Sequence, residues 1–217
     1  MIRLALTAAL AVGSLAQADP RPKPVSPALQ VLADVEANYK QSQHLSVAFD
    51  QTVTNAVSGQ ALPSTGTFLV QKPDKLRFDF MQPKKAKPKP KATYLFDGKA
   101  IWAIDHGNMQ FGQKAAGHSE LPSLVSFFLG AGTLARDFNV SLNNGSLELT
   151  PKTPSATYAK IILVLDAKKL VTQTSIIDSS GNTQTMKFTS VTLDKPAPAG
   201  TFVFDRKQYP VYRELKN

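Results

Sequence analysis

Three histidines, His44, His106 and His118, are the groups in this 217-residue chain best suited to acid–base chemistry near neutral pH. Two have reactive neighbours: Asp105 precedes His106, and Ser119 and Glu120 follow His118. The run Gly117-His118-Ser119-Glu120-Leu121 begins like a nucleophile elbow, in which a serine is presented on a sharp strand-to-helix turn. It lacks the second glycine, and it precedes an apolar helical stripe instead of following a strand. No H-E-x-x-H or similarly tight set of His, Asp and Glu stands ready for a metal, no nucleotide-binding glycine motif occurs, and there is no cysteine. The histidines therefore read as exposed loop or turn residues. A secreted hydrolase is the reading these residues support least, and no catalytic residue, metal or cofactor is expected.

The chemistry that remains is apolar. Phe68 and Val70 alternate with Thr67 and Leu69; after a Lys72-Pro73-Asp74 turn, Leu76, Phe78 and Phe80 alternate with Lys75, Arg77 and Asp79. Two period-two runs around such a turn form an antiparallel pair with one apolar face. Asp97-Gly98 marks a second hairpin, because glycine reaches positive φ without a Cβ clash, and Trp102 follows on its second arm. Leu45, Val47, Phe49, Gln51 and Val53 form a half-buried strand before them. Phe49, Phe68, Leu76, Phe78, Phe80 and Trp102 are expected on one surface.

The elements that must position this surface follow from spacing. Ser26 and Pro27 open a helix with a capping hydroxyl and a first-turn proline, and Leu29, Leu32, Val35 and Tyr39 form its stripe. A second stripe, Leu121, Leu124, Val125, Phe128 and Leu129, stops at Gly130, and residues 133–137 add a further helical turn. Strands are expected at 138–142, 146–150, 158–166, 171–178 and 183–193, with a short last strand at 201–204; the polar tail from 207 has no assignment. The total is about eleven or twelve strands and two amphipathic helices. Such an antiparallel sheet curls and leaves one face solvated. The helices are too few to cover it outside, which permits them to lie across its concave side. Leu124, Val125 and Phe128 then face the aromatic surface, either as an ordinary dry core or as the roof of a closable cavity. In the second case acyl chains replace the roof, each buried methylene contributing about 0.8 kcal/mol.

Residues 1–18 read as an export signal: Arg3, then an apolar run from Leu4 to Leu15 too short for a membrane span, then Ala16-Gln17-Ala18 as a cleavage site. Residues 19–26 form a proline-rich leader expected to be mobile, and 27–217 a single domain. Lys and Arg number 25 against 16 Asp and Glu. Five of these lysines, Lys84, Lys85, Lys87, Lys89 and Lys91, crowd into residues 83–91 with three prolines, a composition that resists both helix and ladder. The run is either a solvated loop or a contact for an acidic partner or an anionic membrane surface. It has no interleaved aromatics for stacking, so nucleic acid is not an expected partner.

An ordered set of motifs adds a resemblance. Ala48-Phe49-Asp50-Gln51, Gly66-x-Phe68 through Lys72-Pro73, and Asp97-Gly98-Lys99 with Trp102 resemble the periplasmic outer-membrane lipoprotein carrier proteins of the LolA family. Leu121-Pro122, Leu149-Thr150-Pro151-Lys152, the turn from Asp178 to Gly181, and Phe202-Val203-Phe204 continue it. The resemblance implies an incomplete antiparallel barrel with helices over its concave side as a lid. It also implies a periplasmic, monomeric carrier that receives acylated lipoproteins from an inner-membrane ABC transporter and gives them to an outer-membrane receptor, with transient membrane proximity and no nucleotide, metal or covalent step. That receptor is itself a lipoprotein, and a chain without cysteine fits the soluble role. In the family the residue before the proline of an Arg-Pro pair hydrogen-bonds toward the lid; here that position is Lys72, a point donor without the planar fork. The residues alone leave room for a related lipid-binding module or envelope sensor.

Overall fold

The computed structural model describes residues 25–81, 89–115, 123–130, 132–155 and 158–215, with Ser123 and Leu124 described by their backbone alone. In chain order the elements are α1 (Pro27–Gln41), β1 (His44–Thr54), β2 (Ala61–Gln71), β3 (Lys75–Met81), β4 (Pro90–Phe96), β5 (Ala100–Asp105) and β6 (Gln110–Ala115). Then come α2 (Ser123–Phe128), α3 (Leu134–Asp137), β7 (Phe138–Asn143), β8 (Ser146–Pro151), β9 (Lys160–Leu165), β10 (Val171–Ile177), β11 (Thr183–Leu193) and β12 (Arg213–Leu215). The strands form one sheet in the order β12-β6-β5-β4-β3-β2-β1-β11-β10-β9-β8-β7. β7 and β12 are its two ends and do not pair, so the barrel stays open. The helices and the antiparallel ladder fit the sequence expectation; the short last strand does not. Residues 201–204 form no strand, and the final one, β12, runs parallel to β6.

The sheet is strongly curled. Tyr94 on β4 and Ile176 on β10 line the same cavity although five strand steps separate them. In a flat sheet they would stand about 24 Å apart. Register shifts at Ala48/Phe49 in β1, Phe80/Met81 in β3 and Val171/Gln173 in β10 supply local bends, because an extra residue in one strand increases its twist.

Helix α1 begins as its sequence promises, with the Ser26 hydroxyl accepting from the Leu29 amide at 3.2 Å. Its buried stripe is Ala28, Leu32, Val35 and Tyr39; Leu29, counted in the stripe from spacing, is 38% exposed, because the 28-32-35-39 row is the one that faces the sheet. The helix packs on β7 and β8, where Leu147 and Leu149 are fully buried, as are Ile161 and Leu163 on neighbouring β9.

The outer face is not left to solvent where the sequence expected it to be. The segment after Pro198 crosses β3–β6 on that side. Phe204 stacks on Trp102 with centroids 4.0 Å apart, Arg206 lies over the Phe111 ring, and the Arg77 guanidinium donates to the Thr201 carbonyl at 3.1 Å. Residues 207–212 of the tail that had no assignment continue this strap, with Tyr209 stacked on Phe204 and the Tyr212 hydroxyl against His106.

Candidate functional site

The inner face carries an apolar cavity of about 260 Å³. Phe68 on β2, Phe78 and Phe80 on β3 and Tyr94 on β4 form one wall. Ile176 on β10 with Met186 and Phe188 on β11 form the other, and Val125 and Phe128 of α2 form the roof. Alternation makes the first wall: Phe68 pairs with Phe78, and Phe78 with Tyr94, so their side chains point the same way from adjacent strands. The rings are close enough to stack, with centroids 5.0 Å apart for Phe68–Phe78 and 6.2 Å for Phe78–Phe80.

Phe49 lies beneath this wall, fully buried, with centroids 6.4 Å from Phe78 and 5.7 Å from Phe80. Its ring occupies the space over Gly66, where a Cβ would sit 2.5 Å from Phe49 Cζ and 2.4 Å from the Asp79 carbonyl oxygen. Gly66 is therefore a requirement of space rather than of backbone torsion. Leu76 lines an adjoining hollow of about 250 Å³ with Phe78, Tyr94, Phe96, Ile101 and Val125.

Trp102 stands elsewhere, against expectation. The hairpin register pairs Phe96 with Ile101 and Leu95 with Trp102, so Ile101 takes the inner face and Trp102 the outer. There it stacks on Phe204, and its indole N–H donates to Asp97 Oδ2 at 3.2 Å. Leu124 lies in α2, its side chain outside the described residues. Sequence reasoning missed the second wall, Ile176, Met186 and Phe188, because it gave no inward face to β10 and β11. Their alternation carried that signal, but only closure of the sheet brings them opposite Phe78.

The roof is short. α2 has six residues and ends at Phe128; Gly130, two residues on, takes a φ of 75° that suits the left-handed turn after a helix. Phe128 is its plug: its ring lies 5.3 Å from Tyr39 of α1, 5.3 Å from Phe68 and 6.5 Å from Phe188. Tyr39 is itself anchored, its hydroxyl oxygen accepting from the Val171 amide at 3.0 Å, and burial pushes its pKa up to about 12.

Lys72 reaches both helices. Its Nζ donates to the carbonyls of Tyr39 and Lys40 (3.2 Å to the latter), at the C-terminal end of α1, where a cation is favoured. Its stem lies against Gly130, where a Cβ would meet Lys72 Cε and Nζ at 3.0 Å. Burial lowers its pKa, with Asp194 acting against that shift.

The histidines do not converge. His44 begins β1, with its Nδ1 buried and without a partner among the described residues. His106 is half-buried, not exposed: Nε2 lies 3.1 Å from Thr93 Oγ1 and Nδ1 3.0 Å from the Tyr212 hydroxyl. Thr93 in turn donates to Asp79, which pairs with Arg77 at 2.7 Å. This outer-face network ties the strap to the sheet, and burial lowers the pKa of His106. His118, Lys84, Lys85 and Lys87 lie outside the described residues, as do residues 1–24. Lys89 and Lys91 are exposed at the start of β4. Among the described residues, no helix is long and apolar enough to cross a membrane, and no group of three His, Cys, Asp or Glu could hold a metal.

An open, curled and mainly antiparallel sheet with an apolar cavity under a short helix defines a half-barrel with an apolar interior. Residues 40–205 match the family model for outer membrane lipoprotein carrier protein LolA, and the chain belongs to that family. It is 26% identical over 171 residues to an outer-membrane lipoprotein carrier protein of Dechloromonas aromatica, covering 76% of this chain and 78% of the other. Identity is 24% over 162 residues to that of Methylibium petroleiphilum, covering 72% and 76%. Among solved structures, a LolA-superfamily protein from Nitrosomonas europaea is similar at 11% identity and a TM-score of 0.44, over 83% of this chain and 99% of that one.

Proposed function

We propose that this protein is a periplasmic, non-enzymatic carrier that holds the acyl chains of lipoproteins in the cavity between Phe68, Phe78, Phe80 and α2. In this role it takes them from an inner-membrane ABC transporter and yields them to an outer-membrane acceptor. The observation that carries the reading is the cavity with its six-residue roof. A volume of about 260 Å³ is below the range of about 300–1,000 Å³ typical of ligand pockets, so several acyl chains enter only if α2 moves aside. The exchange is then favourable, because chain methylenes replace Val125 and Phe128 against the same aromatic wall. Lys72 acts as the latch, holding the β2–β3 turn to the end of α1 beside the end of α2. Leu76 extends the acyl surface and Phe49 supports it. The basic run including Lys89 and Lys91 meets acidic partner surfaces.

The test is native mass spectrometry of the protein purified from its own envelope, with displacement of an environment-sensitive apolar fluorophore by a triacylated lipopeptide. A bound triacylated polypeptide and competitive displacement are expected. A bound free lipid with no displacement by the lipopeptide would instead favour a lipid-binding module of another envelope pathway.

A further inference from the structure

At one end of the cavity the apolar lining gives way to hydrogen-bonding groups. Gln51 Nε2 on β1 donates to Ser64 Oγ on β2 at 3.2 Å, and Gln184 Nε2 on β11 donates to Gln51 Oε1 at 2.8 Å. Thr174 on β10 pairs with Met186, which pairs on its other side with Gln51, so the polar groups share one face across four strands. Gln51 is 8% exposed and Thr174 5% exposed, while Gln184 and Thr174 both line the cavity. Polar groups are costly to place in such a wall unless they find partners.

These have not all found one. The Thr174 hydroxyl has no hydrogen-bond partner among the described residues. In the row itself Gln51 and Gln184 each use one of the two N–H groups of their amide. The spare groups thus include donors, the Thr174 hydroxyl and one N–H on each amide, beside the acceptor Oε1 of Gln184. Among the described residues no charged side chain lines the cavity, so a carboxylate would meet no counter-charge from them. A neutral oxygen acceptor fits.

We propose that this end of the cavity binds the ester or amide carbonyls through which acyl chains join their headgroup, with Thr174 Oγ1 and Gln184 Nε2 donating. The proposal rests on the carrier reading above. It gives the ligand a direction: chains run along Phe68, Phe78 and Phe80, and the headgroup emerges at the β10–β11 side. Such a site selects acyl-linked cargo over other apolar chains, which a smooth aromatic wall cannot do.

The test compares a dihexadecanoylglyceryl-cysteinyl peptide with its ether-linked twin, which keeps the chains and lacks the carbonyls, and sets dihexadecanoylglycerol beside them. Affinities are read by displacement of an apolar fluorophore. The native protein is expected to bind the ester form roughly tenfold more tightly than the ether form, the scale of one well-placed hydrogen bond. Thr174→Val removes most of that preference, read as the ratio of ester to ether affinity within each variant; Thr174→Ser restores it; Gln184→Leu reduces it. Equal binding of both forms by the native protein, or equal weakening of both by Thr174→Val, overturns the proposal while leaving the carrier reading intact. Binding of neither form by the folded native protein overturns both. A preference shared by the glyceride and its ether twin places recognition at the glyceryl esters alone, and a preference confined to the peptide shows that the esters are read only with the cysteinyl end in place; either supports the site.

Discussion

Two regions of the same inner face are closed in different ways. Under α1 the closure is aliphatic and tied down. Leu147, Leu149, Ile161 and Leu163 are fully buried against a 15-residue helix. That helix is fastened by Tyr39 to the Val171 amide, by Asn38 to the Lys168 carbonyl at 2.8 Å, and by Glu36 to Thr133 and the Leu134 amide. Just beyond it, Asp194 accepts from Ser42 and the Gln43 amide, and these bonds hold its carboxyl below the usual range. Under α2 the closure is aromatic and light: six helical residues rest through Val125 and Phe128 on rings that leave a hollow beside them. One end of the barrel is a core and the other a socket. An interior packed like a crystal resists exchange of its parts, whereas a socket with flat aromatic walls accepts a new occupant without losing the fold.

Truncation in the tied region should show the largest effect. Leu149→Ala and Leu163→Ala are each expected to cost about 2–5 kcal/mol in denaturant titrations, the range for fully buried leucines. Phe78→Ala, at a half-buried position facing the hollow, should cost under about 2 kcal/mol. Equal losses at the two places would erase the distinction between core and socket.

The next effect is on uptake. Phe78→Glu sets a carboxylate against the cavity and is expected to lower lipopeptide uptake at least tenfold, with the melting temperature held within a few degrees. Uptake at the native level would remove Phe78 from the wall that the cargo touches. Lys72→Leu comes third. Loss of its bonds to the α1 carbonyls should cost about 1 kcal/mol and speed fluorophore exchange, while Lys72→Arg retains slow exchange. Unchanged exchange in Lys72→Leu would leave α2 closed by its rings alone.

The smallest effect belongs to the outer face. Burial holds the pKa of His106 below its ordinary 6.5, with Asp79 and Asp105 raising it and Arg77 lowering it; Thr93, Tyr209 and Tyr212 pack around the ring. Between its folded and unfolded values the unfolded chain binds more protons, so stability rises with pH through that window and is lost as pH falls. The melting temperature should therefore drop slightly from about pH 7 to pH 5, and His106→Gln should flatten that drop. The carboxylates held low, such as Asp105 and Asp178, titrate below this window. A native-sized drop in His106→Gln would show that the strap is not fastened through this ring.

Much of this was legible from residue order. The helix boundaries at Ser26 and Gly130, the Lys72-Pro73-Asp74 and Asp97-Gly98 turns, and the alternation through Phe68, Phe78 and Phe80 are local signals that local geometry obeys. Trp102 was misplaced although its signal was present. Counting outward from Asp97-Gly98 sets Ile101, not Trp102, beside Phe96, and a one-residue difference changes the face. The strap from 198 onward was missed for another reason. Phe202 and Phe204 alternate like a strand and read as one, and the tail from 207 gives no period; these aromatics are ordered by what they cover rather than by neighbours in the chain.

By itself the amino-acid order determined the number and type of elements and the apolar side of the central strands, because period and turn chemistry act over a few residues. Only the tertiary structure decided that β10 and β11 curl round to face β3, that Phe128 plugs the space between, and that a row of amides ends the apolar wall. Those depend on the accumulated twist of twelve strands and on contacts between residues over a hundred positions apart, which no local spacing encodes.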